Sequence, residues 1–159
     1  MRGRRVAFNG DGSQSGYSAL RAAVAPLAEG DRFFADSLKS GGHLASMELV
    51  AAGTADLAAV DAVCWGLARR HRPELAAPLR VLCRTATTPG LPLITAARRD
   101  DGEVAAIRAA VDETLADPAL ASARADLLLQ GIEVRADADY DAIAEMARGA
   151  ESRGYPSLI

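Results

Sequence analysis

Hydrophobic and polar positions along the first half of the chain change period repeatedly, from runs too short for a helix to stripes too long for a strand. Arg4 to Asn9 (RRVAFN) is a short apolar run and predicts a buried strand starting almost at residue 1. The stretch Gly10-Asp11-Gly12-Ser13-Gln14-Ser15-Gly16 is a dense turn signal. Tyr17, Leu20, Val24 and Leu27 then recur at helical spacing, and Ser13 or Ser15 can cap the helix they predict. Phe33 to Leu38 reads as a short strand or a helix end, and Gly41-Gly42-His43 as a second turn. Leu44, Met47, Val50 and Ala51 predict a short helix stopped by Gly53. Asp56 to Val60 predicts another buried strand, ended by Asp61. Ala62 to Arg70 predicts a helix whose basic end, Arg69-Arg70-His71-Arg72, suits the negative pole of its dipole. Leu79–Thr85 and Leu91–Ala96 predict two more strands on either side of Thr88-Pro89-Gly90.

Beyond residue 97 the texture changes. Acids at Asp100, Asp101 and Glu103 precede a stripe of Val104, Ile107, Val111 and Leu115. Asp117-Pro118 restarts a helix through Leu120, Ala123, Leu127 and Leu128, which Gly131 stops. Ile132–Arg135 allows a short strand, and Tyr140, Ile143, Ala144 and Ala147 mark a last helix. Residues 1–85 therefore read as alternating strands and helices, which implies an α/β layered sheet. Residues 98–155 read as mostly helical.

Length and charge narrow the class. At 159 residues the chain suits one domain or one and a half small ones, and with half its residues apolar it is not a disordered sequence. A net charge of −3 with no basic block argues against a nucleic-acid footprint. No apolar run approaches the roughly 20 residues of a membrane span. Met1-Arg2-Gly3-Arg4-Arg5 is basic, but the apolar residues after it are too few for a signal-peptide core. The expectation is a chain without an export signal, cytoplasmic if Met1 is a true start. Cys64 and Cys83 belong to no CxxC pair and sit in apolar stretches, so they read as buried, inert thiols. With two His in the chain, no metal site and no cofactor is expected.

Three places could carry chemistry. The loop Gly10–Gly16 puts a flexible turn and two hydroxyls at a helix start, where free N–H groups and the positive dipole end make an anion site. The simpler reading of the same spacing is a capping serine and a glycine turn. The loop is neither a P-loop nor a dinucleotide fingerprint, because no Gly-Lys-Ser/Thr follows and no third Gly stands at the right offset. His43, at the next helix start, can donate to an anion or merely cap. Asp61, at the carboxyl end of a strand, can accept a ligand proton or cap the helix that follows. All three fall where strands end and helices begin, so one rim of one sheet would present them together. No nucleophile elbow or buried acid pair accompanies them, and no catalytic residue is assigned.

Several ordered motifs resemble one family. The Arg4–Asn9 strand with Ser13-Gln14-Ser15-Gly16-Tyr17-Ser18, the segment Gly41–Ser46, the run Val50–Asp61, Thr88–Pro92 and Gly154-Tyr155-Pro156 are similar to segments of the phosphonate/phosphite/phosphate substrate-binding proteins of ABC transporters. The resemblance implies a type-2 periplasmic-binding-protein fold with a ligand clamped between two lobes. It implies that Ser13, Gln14, Ser15 and Gly16 hold the anion, that His43 donates to it, and that Asp61 pairs with a ligand proton or amine. Gln14 stands where Thr is common and Gly42 where Ser is common. The implied partners are a small oxyanion and a membrane permease, the implied location is the periplasm, and neither nucleic acid nor membrane insertion is expected. By the same resemblance residues 3–85 form the second, complete α/β lobe, and residues 86–159 the hinge return and the mostly helical C-terminal part of the first. The front half of the first lobe would be missing, exposing apolar surface around Leu91–Ala96. The expected function is non-catalytic capture of a phosphonate- or phosphate-like oxyanion. The alternatives are an intracellular ligand-sensing module of the same fold, or a small α/β enzyme acting on a phosphorylated substrate.

Overall fold

A computed structural model describes residues 1–158. The chain divides into two compact units, one of residues 1–88 together with 137 onward, the other Pro89–Ala136. In the first unit, strand β1 (Arg5–Phe8) lies between β2 (Asp36–Lys39) and β3 (Leu57–Ala58), all parallel, in the order β2-β1-β3. Val6 and Ala7 are fully buried and Phe8 nearly so, the signature of a central strand covered on both faces. Arg5 pairs with Asp36 in one ladder, and Val6 with Leu57 in the other.

Helices close the layers. One π-helical turn (Gln14–Ser18) runs into α1 (Ala19–Val24), and α2 (His43–Ala51) and α3 (Ala62–His71) follow β2 and β3. A short α4 (Pro73–Ala76) begins on Pro73, whose missing N–H is no loss at a helix start. The main core gathers Val6, Phe8, Leu20, Val24, Phe33 and Phe34, with the two phenylalanine rings edge to face at 4.9 Å. A second cluster joins Met47, Ala68 and Leu75.

The segment marked off in the sequence as 86–159 is divided between the units. Its end returns to the first one: α7 (Asp141–Glu151) packs on α1, and Ala150, Tyr155 and Leu158 are buried in the main core. The second unit holds α5 (Asp101–Ala116), which opens on a capping box of Asp100 and Glu103, and α6 (Ala121–Asp126). None of its residues is buried.

Three expected strands do not form. Leu79–Thr85, Leu91–Ala96 and Ile132–Arg135 lie outside every ladder among the described residues. Leu79 packs against the Met47 cluster, but most of their other apolar residues stay in solvent, with Leu91 96% and Ile94 88% exposed. A strand needs a neighbour for its backbone groups, and apolar pattern alone does not supply one. Cys83 is likewise exposed rather than buried, Cys64 is half-buried, and both thiols are free. The stop expected at Gly131 comes earlier, where Leu128 takes a left-handed φ of 59° and Leu129 N–H bonds back to the Arg124 carbonyl.

Arg21 clasps the returning end. Its side chain is buried, donates to the carbonyls of Pro156 (2.6 Å) and Ala147 (3.3 Å), and lies 3.6 Å from the Glu151 carboxylate. Arg21→Ala strands two carbonyls and opens a cavity, and should lower stability by about 2–4 kcal/mol in urea denaturation. Glu151→Gln should cost under about 1 kcal/mol, because that carboxylate is mostly solvated.

Candidate functional site

Because β1, β2 and β3 are parallel, their carboxyl ends share one edge, and each leads through a short turn into a helix start. Unpaired N–H groups and positive dipole ends therefore gather along one rim.

After β1, Ser13 caps the π-turn. Its Oγ accepts from Gly16 N–H at 3.0 Å. Its carbonyl accepts from both Tyr17 N–H (3.1 Å) and Ser18 N–H (3.0 Å), and the latter bond defines the π geometry. Gly16 is buried, and a Cβ there would stand 1.8 Å from Asn9 Oδ1. No side chain fits, so glycine lets the turn sit directly on Asn9. The amides of Gln14 and Ser15, first in the turn, have no intrahelical acceptor.

After β2, Gly42 precedes α2 without a side chain to cap it, and His43 is the first helical residue. The turn is pinned by Ser40, whose Oγ lies 2.6 Å from Ser46 Oγ and 3.1 Å from the Phe8 carbonyl. After β3, the Asp61 carboxylate caps α3 by accepting from Val63 N–H (2.9 Å) and Cys64 N–H (3.0 Å).

Ser15, His43 and Asp61 form one cluster. Ser15 Oγ is 2.9 Å from His43 Nε2, and Asp61 N–H donates to His43 Nδ1 at 3.4 Å. All three residues are half-buried. Burial lowers the pKa of His43 below its ordinary 6.5, outweighing the Asp61 charge and the Ala59 carbonyl, which favour the protonated ring. The Cys64 thiol next door is pushed up, first by burial and then by the Asp61 charge.

Of the six residues singled out in the sequence, Ser15, His43 and Asp61 meet. Ser13 and Gly16 are engaged with each other as cap and capped amide. Gln14 turns away: its Nε2 donates to the sulfur of Met146 on α7 at 3.5 Å, and its Oε1 is buried without a partner. Asn9, Ser40, Ser46 and Met146 support the site and carry no sequence signal of that role. Two cavities, one lined by Ala22, Met146 and Arg153, the other by Trp65, Arg69 and Leu79, lie away from the cluster. Among the described residues no group of three or more His, Cys, Asp or Glu could hold a metal.

The rim can therefore offer a negatively charged ligand two free amides, a rotatable hydroxyl and an imidazole. The Asp61 carboxylate opposes a ligand carrying charge alone and favours one that keeps a proton or bears an ammonium. It is aimed at the α3 amides rather than the imidazole, so Ser15 and His43 lack the orienting acid of a hydrolytic triad.

The depressed pKa of His43 has a consequence for stability. The unfolded chain binds the proton more readily, so this contribution is full above pH 6.5 and is lost as pH falls through 6.5 and the lower folded value. His43→Gln should flatten the fall in urea midpoint between pH 7.5 and pH 5. An equal fall in both proteins would remove His43 as its source.

No curated protein matches the chain. A family model described as ABC transporter, phosphonate, periplasmic substrate-binding protein matches residues 1–140, which takes in the sheet, the rim and all of the second unit. The chain belongs to the phosphonate-binding periplasmic substrate-binding proteins of ABC transporters.

Proposed function

We propose that the chain binds a phosphonate- or phosphate-like oxyanion at the rim where Ser15 and His43 meet, and delivers it to a membrane permease without chemical change. The observation that carries this reading is the 2.9 Å contact between Ser15 Oγ and His43 Nε2, beside the amides that open the π-turn. The family's location is the periplasm. No described helix is long and apolar enough to cross a membrane. In the same reading residues 3–85 are the second lobe of a two-lobed clamp, residues 86–159 are the hinge return and the C-terminal part of the other lobe, and 86–90 absorb closure. Because α7 packs on α1, Asp137 onward belongs to the first unit, and the other lobe's share of this reading narrows to residues 86–136.

The mechanism follows from the donors. The amides of Gln14 and Ser15 are fixed by the turn and need no reorganisation. The Ser15 hydroxyl rotates from the imidazole to the anion. His43, held neutral near pH 7 by burial, donates one N–H, and a bound anion raises its pKa toward protonation. Asp61 accepts a ligand hydroxyl proton or ammonium.

Each hydrogen bond to a charged oxygen is worth about 1.5–3 kcal/mol. Ser15→Ala and His43→Ala should each weaken methylphosphonate binding by roughly ten- to a hundredfold in calorimetry. The double variant should lose less than the product, because the two side chains share a bond. Unchanged affinity in both single variants overturns the site.

A further inference from the structure

The Gln14 carboxamide is only half satisfied where it lies. It donates to a thioether, a weak acceptor, while its carbonyl oxygen is buried with no partner. Exchanging the amide oxygen and nitrogen does not help, since the Met146 sulfur has no proton to give. Gln14 also opens the π-turn, between the capping Ser13 and the Ser15 that touches His43. Turns of this kind recur at functional sites.

The surroundings decide which partner moves. Helix α7 is fixed to α1 independently of Gln14, by the buried Arg21 on the Ala147 and Pro156 carbonyls. Met146 borders a cavity with Ala22, Ala142 and Ala150, so releasing its sulfur requires no repacking of the helix.

We infer that Gln14 couples the oxyanion site to α7: its carboxamide rests on Met146 in this arrangement, and leaves the sulfur to bond an oxyanion held at Ser15 and His43. The inference rests on the binding reading above. A carboxamide offers N–H to anionic oxygens and a carbonyl to a hydroxyl on the same ligand. The class it selects is therefore an oxyanion that retains a proton or carries an adjacent donor. Ligand capture at the rim is then felt on a helix that supplies none of the other donors.

The chain contains three methionines, so labelling their methyl carbons with ¹³C gives three signals, with Met146 assigned by Met146→Leu. The full chain is titrated with methylphosphonate while calorimetry on the same preparation measures binding. The Met146 signal should move in step with saturation and the signal of Met1, outside the site, should not. In Gln14→Leu, binding should weaken about three- to tenfold and the Met146 signal should stay in place. Binding with an unmoved Met146 signal overturns the coupling and leaves the binding reading standing. Movement that persists in Gln14→Leu also overturns the coupling. Calorimetry without binding overturns the binding reading and the coupling together.

Discussion

The site depends on β1 being covered on both faces and paired on both edges. A strand in that position must be short, apolar and parallel to neighbours that arrive by helical crossovers. Once β2 and β3 flank it in the same direction, three helix starts come to one edge without further instruction. The donors at that edge are backbone groups that a helix cannot satisfy internally. The side chains around them, Ser13, Asp61 and the Ser40–Ser46 pair, settle which amides are taken and which are left.

Asn9 and Gly16 show how local packing tightens this scheme. The Asn9 side chain fills the space a Cβ on residue 16 would take, so the π-turn descends onto the end of β1. The cost is an amide oxygen on Asn9 that is buried without a partner. A second buried carbonyl without a partner is that of Gln14, the first residue of the same turn. Both orphaned groups are acceptors, so an anion alone leaves them unsatisfied, and only a donor brought beside them completes them.

What could be read in advance follows from what each signal measures. Gly10–Gly16 and the stripe from Tyr17 to Leu27 fixed the first helix start, because turn chemistry and helical period are local properties. Parallel order brings Asp61, 46 residues after Ser15, back beside it, and the alternation of strands and helices was enough to anticipate that. The direction of the Gln14 side chain was not legible, because its partner Met146 lies in a helix that returns 132 residues later. Nor was the burial of Arg21, since an arginine on a helix reads as a solvated face until the carbonyls of Ala147 and Pro156 arrive beneath it.

The strands that do not form mark the limit of pattern reading. Leu79–Thr85 and Leu91–Ala96 have the composition of strands, as β1 does. Composition reports how well side chains would sit on a pleated surface; a ladder also needs a second backbone in register. β1 has two such neighbours, and these segments have none among the described residues. The same argument covers α5, whose stripe of Val104, Ile107, Val111 and Leu115 is regular yet buries no residue, because an amphipathic face gains burial only against an opposing layer. The rim at the carboxyl ends of the strands escapes this dependence. Ser15, His43 and Asp61 all stand on elements seated against β1 and its two neighbours, so their mutual geometry is set inside one unit and does not await a surface supplied by the other.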